Sequence, residues 1–294
     1  MENLLDDLLA DAAAPQQQRF TPEEFAARKK LQREAVYAMV EATTKAVCAD
    51  EQRFREYLNV QARFDRYSAT NVLLILAQRP EATRLRDFDG WQSKGAMVGK
   101  GQKAISILEP GKQYTTPDGR VGTYYNVKSV FDISQTNAVK PEIGPRPEAR
   151  ALASALIAKR PVPIELADRL STGAYYDAEN KKIVARKGMD LNTLFCCVSN
   201  ALAKVEIHRL GSDPNAELAS FDAYCVSYLM ARKYRLDISQ YRFPVLPEAM
   251  GDPRAARAEL SRIHDVFHIL TIRTDRALAG PGKATPSQAG TEVR

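Results

Sequence analysis

The side chains of this sequence that could bind a metal or activate water lie in two places. One is His264-Asp265-Val266-Phe267-His268, where two imidazoles at i and i+4 share a helix face at the spacing that grips zinc. The other is Cys196, Cys197, His208, Asp222 and Cys225, a set from which a soft metal could draw ligands; Asp222 and Cys225 are one helical turn apart. A thiolate nucleophile at Cys197 served by His208 fails on distance, because eleven residues along a helix rise ~16 Å. Each set also has an ordinary reading. Leu260, Ile263, Phe267 and Leu270 give the histidine stretch the core face of an amphipathic helix, with no third ligand at matching spacing. Cysteine is itself a common core residue.

A third concentration suits a polyanion. Residues 84–103 contain Arg84, Arg86, Lys94, Lys100 and Lys103 against Asp87 and Asp89. Gly95, Gly99 and Gly101 would let backbone amides approach phosphate oxygens. Tyr67, Phe88 and Trp91 are candidate platforms for stacked bases, each worth ~1–3 kcal/mol in that role. Arg66 precedes Tyr67 and adds a cation. Asn71 and Gln78 are seven residues apart, two helical turns, so one face could offer both amides to a base edge or sugar. Trp91 is equally readable as core filling, Tyr67 as packing beneath a helix start, and Ser68 as that helix's cap.

These residues need elements to position them. Thr21-Pro22-Glu23-Glu24 reads as a helix start, with the helix running to about residue 47. Further helices are expected over 50–62 and from Ser68 to Pro80. Residues 103–110 and 123–133 alternate as strands around a Gly/Pro/Asp-Gly loop, the pattern of a hairpin. The Pro-rich stretch 139–149 is the expected linker. Beyond it come a helix (147–159), a strand (162–166), a hairpin (174–186), two long helices (190–209 and 215–234) and a last helix (253–279). Residues 1–20 and 280–294 have the composition of a flexible segment and a disordered tail.

Composition sets bounds. The 294 residues, 45% hydrophobic and 27% charged, are ordinary for a soluble α+β protein of two domains. Four cysteines without a C-x-x-C argue against a disulfide framework or a zinc ribbon. No apolar run is long enough to span a membrane, and the acidic N-terminus lacks a signal's basic region. A cytoplasmic protein is expected. The net charge of +6 permits nucleic acid as a partner without requiring it.

Tyr67, Ser68 and Asn71, then Gln78 and Pro80, Trp91, Gly95, Lys100, Gly101 and Lys103, and the strand from Ile105 to Pro110 stand in a fixed order over roughly fifty positions. This order resembles the single-stranded-DNA-binding N-terminal domain of ArdC-type antirestriction proteins. Residues 173–243 resemble the same family's C-terminal domain, a gluzincin-like zinc peptidase with an A-Y-Y hairpin, an H-E-x-x-H helix and a ligand Glu on the next helix. On that pattern Ala174-Tyr175-Tyr176 match the hairpin. Cys196 and Asn200 fall at the two histidines, Cys197 at the catalytic glutamate and Asp222 at the third ligand. A thiol is a poor substitute for a carboxylate base, and an amide is a weak zinc ligand.

The resemblance implies an N-terminal helical/β-hairpin DNA-binding domain (21–138) and a mostly helical, degenerate metallopeptidase-like domain (150–279). The nucleic-acid site would comprise Arg66, Tyr67, Asn71, Gln78, Arg84, Trp91, Lys94, Lys100 and Lys103. The expected function is non-enzymatic, sequence-tolerant binding of single-stranded DNA of a mobile or conjugative element, with an antirestriction role, no cofactor and no retained metal. The alternatives are an enzyme with a rebuilt Cys/Asp/His metal site, and a pseudoenzyme whose cleft captures a host restriction or repair protein.

Overall fold

The computed structural model describes residues 21–142, 144–211, 215–243 and 246–280. The segments expected to be flexible, 1–20 and 281–294, lie outside them. By its contacts the chain divides into residues 1–35 and 36–294.

Helix α1 (Pro22–Ala49) starts as its sequence dictates. The Thr21 hydroxyl accepts from the Glu24 N–H at 3.2 Å, and the Glu24 carboxylate accepts from the Thr21 N–H at 2.8 Å, a reciprocal cap. Asp50 caps α2 (Glu51–Arg63) and Ser68 caps α3 (Ala69–Gln78). The very apolar α3 buries Val72, Leu73, Leu74 and Ile75 completely.

The first sheet has the order β1 (Leu85–Arg86), β3 (Val121–Asp132), β2 (Ile105–Thr115), all antiparallel. A short helix α4 (Phe88–Gln92) follows β1, capped by Asp87. The β2–β3 hairpin runs well past the core: Ile105, Ile107, Leu108 and Val130 are buried, while its distal residues are exposed. After α5 (Ala149–Ile157) comes the second sheet, order β4 (Ile164–Ala167), β6 (Lys182–Arg186), β5 (Ala174–Asp177). There β4 runs parallel to β6 and the expected β5–β6 hairpin is antiparallel. Helices α6 (Leu191–Arg209), α7 (Ala216–Lys233) and α8 (Pro253–Ala279) complete the chain.

The fold is a mixture of helices with two small sheets. Segment 139–149 does not separate two cores. Phe54 and Tyr57 of α2 and Leu73 of α3 share one buried cluster with Phe195, Tyr228 and Phe267 of α6, α7 and α8. Phe54 packs on Phe221 and Phe243 at ring distances of 5.5 and 6.1 Å, and the Tyr228 hydroxyl donates to Asn59 at 2.8 Å. Within residues 36–280 the two expected segments thus share a core: the apolar faces of α2 and α3 find their partners on α7 and α8. Among the described residues no helix is long and apolar enough to cross a membrane.

Candidate functional site

The loop from Met97 to Lys103 is clamped from below. The Gln135 side chain donates to the Lys103 carbonyl at 2.7 Å, and its backbone carbonyl accepts from the Gly99 N–H at 2.9 Å. Asn137 accepts from the Met97 N–H at 2.7 Å through its side chain and donates its own N–H back to the Met97 carbonyl. Gln135 is itself fixed by a capping box with Asp132. Burial pushes the Asp132 carboxyl up, but N–H groups of Arg84, Thr83 and Ser134 and the Ser134 hydroxyl outweigh it and hold the group below its ordinary range. The loop is thus held by groups that face inward, which leaves its cations turned out. Lys94, Lys100 and Lys103 are exposed and make no ion pair among the described residues; Arg66 is exposed and Arg84 half-buried. Gly95 and Gly101 sit at φ 71° and 77°, where a side chain would be strained.

The structure does not bring the remaining predicted residues to this surface. Asn71 is buried, and its amide donates to the Leu108 carbonyl and accepts from the Leu108 N–H, both at 2.8 Å. Gln78 does the same to Ser106, at 2.9 and 2.8 Å. The two amides face the open edge of β2 in the way a neighbouring strand would, which corrects their assignment to a base or sugar. Trp91 is also corrected: it is 3% exposed, donates from Nε1 to the Phe131 carbonyl at 2.9 Å, and packs with Ala96 and Ile133. Tyr67 is half-buried edge-on to Phe64, and burial pushes its hydroxyl up. The N–H groups of Gly95 and Gly99 are committed to the carbonyls of Gln92 and Gln135. Of the three expected ring platforms only Phe88 is open, at 54% exposure. Tyr114, Tyr124 and Tyr125 are exposed on the distal hairpin, an aromatic cluster that the sequence shows on either side of the Asp118-Gly119 turn.

In the C-terminal half, α6 places Cys197 beside the segment that leads into β5 and Cys196 against Ser227 of α7. The Cys197 sulfur lies so close to Gly173 that any side chain there would collide with it. Burial raises the Cys196, Cys197 and Cys225 thiols above their ordinary range, which makes them poor nucleophiles. Asp222 is wholly buried, and its carboxylate accepts from Arg262 Nε of α8 at 2.5 Å; the same guanidinium holds Glu259. Burial lifts Asp222 to about 7, more than the Arg262 charge pulls it down. Its partner is therefore a fixed cation forty residues further on. His208 instead meets the Tyr176 hydroxyl at 3.0 Å. His264 and His268 stack at 5.7 Å, with Nδ1 of His268 donating to the Asp65 carbonyl at 3.0 Å. Among the described residues no three His, Cys, Asp or Glu side chains converge to hold a metal ion. Of the Cys/Asp/His set, Asp222 is thus held by Arg262 and His208 by Tyr176.

Comparison with known proteins locates this arrangement. Residues 29–138 match the model of the N-terminal domain of the anti-restriction factor ArdC. The chain is 24% identical to an uncharacterized Bacillus anthracis protein, pXO2-81, covering 78% of this chain and 48% of that protein. It thus spans about half the length of that curated relative. The Mn(II)-bound crystal structure of the antirestriction ArdC protein from the R388 plasmid matches with a TM-score of 0.51 at 13% identity, over 73% of this chain and 86% of that one. The metal-free structure of that protein gives 0.48 at 14% identity. At such identities the likeness concerns the fold.

Proposed function

The chain is ArdC-like, and from that premise we propose that it is a sequence-tolerant binder of single-stranded DNA with an antirestriction role and no peptidase activity. The observation that carries the binding reading is the clamped loop with exposed Lys100 and Lys103, preceded by exposed Lys94. Sequence-tolerant capture needs cations at fixed positions along the phosphates and open rings for bases. A loop whose backbone is anchored through Gln135 and Asn137 provides the cations at a lower ordering cost on binding. Phe88, at the start of α4, supplies an open ring in the same stretch.

The R388 relative was crystallised with Mn(II). The residues here do not suit such an ion. At the positions that the sequence resemblance assigns to the family's ligands stand Cys196, Asn200 and an Asp222 already bonded to Arg262. A metal would have to displace the half-buried Arg262 guanidinium, stranding its charge. The C-terminal half then acts as scaffold, or as a surface for a host restriction or repair protein.

Binding of a labelled single strand to the Lys100→Ala/Lys103→Ala variant tests the reading. Affinity should fall clearly, and equal affinity would remove the surface. Peptide hydrolysis by purified protein that a chelator abolishes would remove the non-enzymatic part.

A further inference from the structure

Two of the three rings expected to stack on bases are not available, since Trp91 is buried and Tyr67 half-buried against Phe64. Open aromatic surface lies instead on the distal part of the β2–β3 hairpin. Tyr124 is 51% exposed, Tyr125 40% and Tyr114 38%. From the structure we infer that the Tyr114/Tyr124 face of this hairpin is a base-stacking platform for single-stranded nucleic acid. This rests on the proposed binding function and adds a second contact point away from the lysine loop.

The pairing register decides which rings share a face. Tyr114 is opposite Gly122, and Tyr124 is two residues along the same strand, so both project from one side; Tyr125 projects from the other, opposite Pro110. The Tyr114 ring lies over Gly122, where any side chain would collide with it, and meets the Tyr124 ring at 4.3 Å. Gly122 thus makes the space in which Tyr114 backs Tyr124, and the outer ring is held in place rather than free to swing. A rigid, half-exposed ring loses little freedom when a base settles on it.

The charge around the rings fits a polyanion. The distal stretch 110–125 carries Lys112, Arg120 and Asp118, and Asp118 is already paired with Arg120 at 2.9 Å. No other acid stands there to repel a phosphate. From Ile105, where β2 begins next to the lysine loop, to Tyr114 is nine residues, or roughly 30 Å of strand. A strand of several nucleotides, comparable to the ~4–16 that an OB-fold accommodates, reaches both ends.

Fluorescence anisotropy with a labelled oligothymidylate, on folded full-length variants checked by circular dichroism, tests this. Tyr124→Ala should weaken binding by roughly ten-fold, since one stacked base contributes that much, without changing the salt dependence, because no charge is removed. Tyr124→Phe should keep near-parental affinity, and Tyr125→Ala should have the smaller effect. If Tyr124→Ala binds like the parent while Lys100→Ala/Lys103→Ala does not, the platform is wrong and the binding function stands. A larger loss for Tyr125→Ala than for Tyr124→Ala would overturn the choice of face. A parent that binds no oligothymidylate at low salt would overturn both.

Discussion

Asn71 and Leu108 pair as two neighbouring strands would: one side-chain amide gives a hydrogen bond to the backbone carbonyl and takes one from the N–H, both at 2.8 Å. With Gln78 on Ser106, the bond pairs on alternate residues seal the free edge of β2 with a helix. An unpaired edge invites other strands, and here α3 covers it.

Asn71→Ala should therefore act on stability. It leaves the buried N–H and C=O of Leu108 unpaired, a cost of about 2–4 kcal/mol, readable as a lower urea midpoint. The fraction that remains folded should bind oligonucleotide with parental affinity. A stable Asn71→Ala protein that has lost binding would return Asn71 to the interface.

Trp91 is the only tryptophan, so its emission reports one site. Buried and bonded to Phe131, it should emit at short wavelength and change little when oligonucleotide saturates the protein. Strong quenching on binding would mean that bases reach the ring. Trp91→Ala should lower stability by roughly 3–5 kcal/mol through the cavity it leaves.

Arg262→Leu should remove the cation that Asp222 faces, drive the buried group to its protonated form and destabilise the protein by up to about 3–5 kcal/mol near neutral pH. The parent carries a related pH dependence. Burial raises Asp222 from 3.8 to about 7 in the folded state. Between those values the folded chain keeps a proton that the unfolded chain has lost. Stability from this group is therefore greatest below about pH 4 and falls as pH rises to about 7, by at most about 1.4 kcal/mol per unit. Denaturation of the parent and of Asp222→Asn across this window should show a steeper decline in the parent, the variant keeping only the contribution of Glu259, whose carboxyl burial also raises. Identical curves would contradict the burial of Asp222 as its controlling influence.

Cys197→Glu, alone or with Cys196→His and Asn200→His, should not create a peptidase. The Cys197 sulfur already abuts the Gly173 backbone, so a longer side chain overpacks the site at about 1–3 kcal/mol, and Asp222 remains bound to Arg262. Zinc-dependent hydrolysis by the triple variant would show that the cleft is intact.

The sequence carried the fold's local grammar well. Thr21, Asp50, Ser68 and Asp190 cap the helices they precede, and the alternation on either side of Asp118-Gly119 located the long hairpin. It also carried the lysine loop, because the need for exposure is written in charge. What it could not carry was partnership at a distance. Asn71 reaches a strand thirty-seven residues on and Asp222 an arginine forty residues on; neither spacing has a periodic signature. The shared core was hidden for the same reason: Pro-rich 139–149 looks like a boundary locally, yet Phe54 meets Phe221 across it.

The central claim is electrostatic capture of a single strand by a pre-shaped loop, and the salt dependence of oligonucleotide affinity tests it most directly. The account predicts a linear fall of log affinity with log salt, with a slope of about −0.7 for each phosphate neutralised, and a slope shallower by roughly 1.4 in Lys100→Ala/Lys103→Ala. The same slope in both proteins, or no binding by the parent at low ionic strength, would contradict it.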